Sequence, residues 1–302
     1  MVIPANETYH MTAVWANGFS NMTFTIDGTI KLSKNHHRWP IGKNEKIVRD
    51  LIAFEDVENI TFRGSGTVDG QGYMWWVREY LQLNRHSRPR LLYIHRGVNI
   101  EMSGIRWINS PKFHMELKDI DTLHLHDFEI WVDHKGQLEL GKLFLGGSSG
   151  SQANGPFKHL HLNNMTLPIY ALNTDGVDPH GKNILIERLN ITNYDDAVAI
   201  KPCHKEYTIS QCSENIVVRD CIINFGVGMT IGTLVESEKY NCVRNVTFSN
   251  HTFNHPFKAV YIKTNPGSTE SMLPGSGGII ENILYENLEI HRPIWWSIYI
   301  GP

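Results

Sequence analysis

The hydrophobic positions of this chain recur as short runs in which apolar and polar residues alternate, most of them opened by an asparagine. The runs NMTFTIDGTI from Asn21, NITFRGSGTVDG from Asn59, NIEMSGIRWI from Asn99 and TLHLHDFEI from Thr122 come first. HLHLNNMTL from His159, NILIERLNIT from Asn183, NIVVRDCIIN from Asn215, NVTFSNHTF from Asn245 and NILYENLEI from Asn282 follow. Each reads as a short strand, a polar corner and a second short strand, since alternation with β-branched and aromatic enrichment suits a pleated surface. Few segments place apolar residues at i, i+3, i+4 and i+7 between caps, so little helix is expected.

The runs repeat at a loose interval. Ile100 to Leu123 is 23 residues, Leu160 to Ile184 is 24, Ile184 to Ile216 is 32 and Ile216 to Val246 is 30. Periods of this size without helical periodicity predict stacked β coils, an all-β fold in which 1–302 form one elongated parallel β-helix domain. The recurrent asparagines are expected to bond the same corner of the next coil and so build side-chain ladders. Two Gly/Ser/Pro-rich insertions, 134–156 and 266–278, are expected to be loops over the side of the solenoid that wall a groove. QGYMWWVREY, from Gln71, sets Trp75 and Trp76 beside a turn, where a cap over a β coil is the default expectation and a sugar-stacking platform the alternative.

Composition narrows the partners. A chain of 302 residues with 41% hydrophobic content buries a large core, and its net charge of -3 argues against general nucleic-acid binding. Its 16 histidines make that balance pH-dependent, so mildly acid conditions would turn the chain cationic. No apolar run approaches the roughly 18 residues of a membrane span, so a soluble protein is expected. Residues 1–10 lack the apolar core of a signal peptide, so a secreted chain would be a mature or trimmed one.

Asn-x-Thr sequons stand at Asn6, Asn21, Asn59, Asn164, Asn190, Asn245 and Asn250 and favour an oxidising, secretory compartment, although several coincide with the strand repeat. Cys203 and Cys212 bracket a short loop that a disulfide would close easily, leaving Cys221 with Cys242, although sequence alone does not fix the pairing. His251 and His255 have a ligand-like spacing, but no CxxC pair accompanies them and no metal site is expected.

Candidate chemistry concentrates in residues 171–201, ALNTDGVDPHGKNILIERLNITNYDDAVAIK. Asp175 and Asp195 are 20 residues apart, close to one short coil, so their side chains are expected on adjacent rungs, about 4.8 Å apart at the backbone. Asp195 and Asp196 would face opposite ways on a regular strand, so if both serve one groove the chain must bulge or turn at 194–196. Clustered acids raise one another's pKa, which keeps one carboxyl protonated beside an ionised one, the pair that glycosidic hydrolysis needs. Asp and Asn also end strands and cap turns. Three acids with Lys201 and Lys263 on neighbouring coils favour chemistry, whereas Asp178 reads as a structural residue that ties down the next corner.

Asn173-Thr174-Asp175-Gly176, Asp195-Asp196 leading into Ala199-Ile200-Lys201, Gly226-Val227-Gly228-Met229-Thr230-Ile231-Gly232 and Tyr261-Ile262-Lys263-Thr264 occur in that order along the chain. They resemble, in order, the four signatures of the polygalacturonase family of glycoside hydrolases, family 28. Gly64-Ser65-Gly66-Thr67-Val68-Asp69-Gly70 with Trp75-Trp76, and Asn109-Ser110-Pro111, are similar to positions in that family's earlier coils. The resemblance covers most of the chain but begins one segment late, so the family's first N-terminal segment and extreme C-terminus are expected to be missing.

The resemblance implies a right-handed β-helix and an inverting hydrolysis that needs no cofactor. Asp195 would be the general acid, with Asp175 and Asp196 holding the attacking water. Asn173, Lys201, Tyr261, Lys263 and His204 are the candidates for holding substrate. Two positions depart from the family pattern: Gly-His-Gly becomes Gly226-Val227-Gly228, and Arg-Ile-Lys becomes Tyr261-Ile262-Lys263. In the family that His supports the acid, and the Arg with the Lys grips substrate carboxylates. Here Lys263 remains, and His180 or His204 is the candidate to replace the imidazole.

The substrate expected is an acidic, pectin-like polysaccharide. The alternatives are a hydrolase adapted to a different polysaccharide and a glycan-binding β-helix whose catalysis has decayed. A β-helix lyase would need an Arg or Lys base beside a Ca²⁺ cage, and none of the four motifs contains an Arg. A secreted monomer with no nucleic-acid or membrane partner is expected.

Overall fold

The computed structural model describes residues 1–34, 38–42, 48–133, 161–162, 165–166, 171–204, 207–235, 240–265 and 277–302. The sequon at Asn164, all of the 134–156 insertion and most of the 266–278 insertion lie outside these residues.

Strands Val14–Ile26, Ile52–Arg63, Leu92–Ser103, Met115–His126, Val177–Glu187, Ser213–Arg219, Tyr240–Asn254 and Gly277–His291 pair in parallel, each with the next. Shorter strands form the other faces, and among the described residues 21 strands join in one hydrogen-bonded sheet that winds as a right-handed parallel β-helix. Like side chains stack on like inside it. Phe24, Phe62, Met102, Leu125, Ile186, Val218, Phe248 and Tyr285 fall in one register row. The row begins and ends in stacked rings, Phe24 on Phe62 at 4.9 Å and Phe248 on Tyr285 at 4.6 Å.

The corners explain the asparagines. Asn21, Asn59, Asn99, Thr122, Asn183, Asn215, Asn245 and Asn282 all take left-handed backbone, with φ between 54° and 65°. Asn tolerates this conformation better than other residues that carry a Cβ. The expected ladder is present: Asn59 Nδ2 donates to Asn21 Oδ1 at 3.1 Å, Asn99 to Asn59 at 2.8 Å and Asn245 to Asn215 at 2.7 Å. Asn59, Asn245 and Asn250 thus commit the very nitrogen that a glycan would need, Asn250 donating to Asp220 at 3.1 Å.

The segment read as a turn beside two tryptophans is instead a helix, Tyr73–Tyr80. Trp76 is fully buried with its indole N–H donated to the Ser110 carbonyl at 3.0 Å, and Trp75 packs edge-on against Trp39. Both serve as a cap, because a two-turn helix lying on the coils turns these side chains inward.

The disulfide pairing differs from the expectation. Cys212 is bonded to Cys242, and Cys203 and Cys221 are buried thiols. Ser213 pairs with Val243 in parallel register, which sets Cys212 directly beside Cys242 on the adjacent coil. Cys203, opposite Cys242 on an antiparallel pair, directs its sulfur to the Ser213 hydroxyl at 3.3 Å. Cys221 lies a strand length away, where its N–H donates to the imidazole of His251. The link spans 30 residues, a loop whose closure is worth about 3–4 kcal/mol. Peptide mapping without reduction should recover Cys212 linked to Cys242. Cys203 and Cys221, whose thiols burial pushes up to about 11 and about 12, should resist alkylation until the protein is unfolded. A peptide joining Cys203 to Cys212 would refute this arrangement.

Candidate active site

One face of the solenoid carries the acids. Val177 pairs with Val198, and strands Asp196–Ile200, Val227–Val235, Lys258–Asn265 and Ile298–Gly301 continue the face coil by coil. Asp175 lies just before strand Val177–Glu187, Asp196 opens the next, and Asp195 occupies the bend ahead of it. The turn required at 194–196 is therefore present. Asn193 Nδ2 clamps it by donating to the carbonyls of Thr174 at 3.0 Å and Asp196 at 2.7 Å. Gly226, at φ +86°, closes over this turn, and a Cβ there would stand 2.7 Å from the Asp195 carbonyl oxygen. A glycine meets both demands.

Carboxylate oxygens of Asp175, Asp195 and Asp196 lie within 4.8 Å of one another. Asp175 and Asp196 are buried, and Asp195 is the member that is part-exposed. Asp195 Oδ2 accepts the Asn173 N–H at 2.9 Å, and its Oδ1 accepts the Asp196 N–H at 3.0 Å. Asp196 occupies both oxygens: the Thr230 hydroxyl donates to Oδ1 at 2.9 Å, and Lys263 Nζ meets Oδ2 at 2.5 Å. Lys201 Nζ stands 3.5 Å from Asp178, 3.8 Å from Asp196 and 4.0 Å from Asp175.

Asp178 therefore differs from its reading as a corner residue. It lies inside strand Val177–Glu187, fully buried, as a fourth acid of the same cluster. The strand continues through the position where a corner was expected, so its carboxylate turns toward Lys201.

Four carboxyls facing two lysines leave the cluster short of positive charge. Burial, then the charges of Asp195, Asp178 and Asp196, raise Asp175 well above the ordinary carboxylate value, with Lys201 opposing. Burial and Asp196 likewise raise Asp195 against the pull of Lys263. Burial lifts Asp178 to about 6 although Lys201 works against it. For Lys201, burial alone would favour the neutral amine, but the four acids prevail and its pKa is raised. Asp175, Asp178 and Asp195 titrate as a set, and the site retains a proton at pH values where isolated carboxyls are ionised.

Arg88 and His114 support the site without any motif to announce them. Arg88, 5% exposed, donates to Asn173 Oδ1 at 2.9 Å and to the carbonyls of Leu172 and Pro111. His114, fully buried, holds the Asp175 carbonyl at 2.9 Å through Nδ1, and burial drives its imidazole down to about 4, so it is neutral. These contacts span 85 and 61 residues, beyond any local pattern.

The two departures also have places. Val227 is in register with Asp196 and with Lys258, and Tyr261 with Thr230 and Tyr299. His180 and His204 gather instead around Tyr207, at ring distances of 6.2 Å and 5.5 Å, past the C-terminal end of strand Asp196–Ile200. Neither stands beside Val227.

The fold is that of the right-handed β-helix glycoside hydrolases. Over 99% of this chain and 68% of the other, it superposes on an endo-xylogalacturonan hydrolase from Aspergillus tubingensis with a TM-score of 0.70 at 21% identity. A polygalacturonase from Erwinia carotovora ssp. carotovora gives 0.68 at 24% identity, over 98% of this chain and 71% of that one. The chain belongs to glycosyl hydrolases family 28, whose family model matches residues 1–300.

Similar sequences include the Aspergillus flavus protein named probable endo-xylogalacturonan hydrolase A, 28% identical over 292 residues. The polygalacturonase of Cryptomeria japonica is 25% identical over 299 residues. The alignments take in 95% and 96% of this chain but 59% and 47% of those relatives, so the chain spans about half their length.

The cluster makes a prediction about stability. A carboxyl whose folded pKa stands above its unfolded value stabilises the fold at low pH, and that contribution is lost as pH rises through the folded pKa. For Asp178 the window runs from 3.8 to about 6, on the order of 3 kcal/mol. Asp178→Asn, which mimics the protonated acid, should raise Tm at pH 7.5 and give little gain at pH 4. Thermal melts at both pH values check this, and an equal shift at each would refute it.

Proposed function

We propose that this protein is a glycoside hydrolase that cleaves an acidic, galacturonan-like polysaccharide with inversion of configuration, outside the cell and as a monomer. The convergence of Asp175, Asp195 and Asp196 on one outer face of the β-helix carries the reading. Asp195, part-exposed and raised in pKa by burial and Asp196, offers a proton to the leaving oxygen. Asp196, paired with Lys263, and Asp175 orient the attacking water.

The separation of up to 4.8 Å is shorter than the roughly 6.5–9.5 Å of sites that invert with two carboxyls. Here a third acid lets Asp175 and Asp196 hold the water together, on the face of the sugar opposite the leaving oxygen, as inversion requires. Asn173, Lys201, Tyr261 and Lys263 frame the acids and hold the sugar, whereas His204, packed against Tyr207, stands apart from them. The Cys212–Cys242 disulfide supports an oxidising compartment, and no helix among the described residues is long and apolar enough to cross a membrane.

Val227 beside Asp196 favours a second reading, a glycan-binding β-helix without turnover, because an aliphatic side chain stands where the family pattern has an imidazole. Reducing-end release from polygalacturonate and xylogalacturonan, compared between wild type and Asp195→Asn, separates the two. For a hydrolase the substitution should lower kcat by about 10²- to 10⁴-fold with KM nearly unchanged. Identical residual rates with retained binding would establish the second reading. Where turnover is seen, proton NMR of the first product should show the anomer opposite to that of the bond cleaved, and a retained anomer would overturn the assignment of the water to Asp175 and Asp196.

A further inference from the structure

Lys258 is a buried cation without an anion. It is 8% exposed, opens strand Lys258–Asn265, and makes no hydrogen bond or ion pair among the described residues. Its ammonium lies over three aromatic faces instead, 3.5 Å from the centre of Tyr261, 4.3 Å from Tyr299 and 5.4 Å from Trp295. The other lysines of this face are occupied, Lys201 among three carboxylates and Lys263 on Asp196. Lys258 is the neighbour in register of Val227, which is itself in register with Asp196, so the unpaired charge stands two coils along from the acids.

Ring faces compensate a desolvated ammonium only in part. Burial, aided by the nearby charge of Lys263, holds Lys258 below the ordinary lysine pKa, and Asp195 and Asp196 oppose that without reaching the ammonium. The location lacks a negative charge that the protein does not supply. A carboxylate borne on a ring meets both features, since its charge satisfies the ammonium while its pyranose lies along the tyrosines.

We propose that Lys258, packed against Tyr261 and Tyr299, is the carboxylate anchor for a uronic-acid residue of the bound polysaccharide. This rests on the hydrolase reading of the same groove. It reinterprets the Tyr261 departure: the cation that position 261 no longer carries comes from three residues earlier on the same strand, and the tyrosine ring becomes its support. Lys258 is then a specificity residue that separates acidic from esterified sugars.

The test uses trigalacturonate and its methyl ester, titrated calorimetrically into Asp195→Asn protein to prevent turnover, with and without Lys258→Met or Lys258→Arg. Lys258→Met should weaken the free acid by about 10- to 100-fold, the size of a lost charge-assisted hydrogen bond, and reduce the preference for acid over ester to the same degree. Lys258→Arg should retain that preference. Equal affinity of Lys258→Met and its parent, or equal losses for acid and ester, would overturn the proposal and leave Lys258 a packing residue. Should Lys258→Met fail to fold by its melting curve, the parent decides, because a parent without preference for the acid also overturns it. Hydrolysis is scored separately: wild-type turnover lost in Asp195→Asn upholds the hydrolase reading even if Lys258 proves irrelevant, and a binder with the acid preference but no turnover sinks that reading alone.

Discussion

Every coil of this protein must lay its backbone on the one before, at the roughly 4.8 Å spacing that parallel strand pairing imposes. The corner is where that requirement is hardest to satisfy, since the chain changes direction without breaking register. Left-handed residues make the change, and side-chain amides tie Asn21 to Asn59, Asn59 to Asn99 and Asn215 to Asn245 on successive coils. Rows of matched apolar side chains then stack inside, and each coil's outward side chains come within reach of its neighbours'.

The site is a consequence of that spacing. Asp175 and Asp196 come from consecutive coils, Thr230 and Lys263 from the two that follow, and no loop rearrangement is needed to gather them. The gathering concentrates negative charge in a buried place. Asp175, Asp178, Asp195 and Asp196 face Lys201 and Lys263, so four carboxyls share two ammonium groups. Protonation relieves the excess, and the same electrostatics that strain the fold at neutral pH supply an acid suited to protonating a leaving group. Four buried or part-buried carboxyls sharing two cations are the pattern expected of a functional cluster rather than of turn caps.

Two substitutions of family residues carry different weight in this setting. Val227 removes an imidazole next to Asp196, and no histidine among the described residues takes its place, because His180 and His204 are held around Tyr207 and His114 is spent on the Asp175 carbonyl. Tyr261 gives up a cation, yet its ring lies under the ammonium of Lys258. The first is a loss to the acid's surroundings. The second leaves a cation on the same strand, three residues earlier and against the tyrosine ring.

What the chain shows in one dimension is what depends on neighbours in sequence. Period-two alternation, asparagine corners and the order of four short motifs determined the β-helix and nominated Asp175, Asp195 and Asp196, and the geometry of a strand required the turn at 194–196. Tertiary structure alone decided what depends on register between coils of unequal length. Cys212 meets Cys242 because Ser213 pairs with Val243, and Arg88 reaches Asn173 from 85 residues away. Asp178 joins the acids because its strand does not turn where a corner was expected. Lys258 is isolated for the same kind of reason: strand pairing sets it beside Val227, away from every carboxylate described, and a side chain's partner is fixed by the coil stacked against it rather than by the residues on either side.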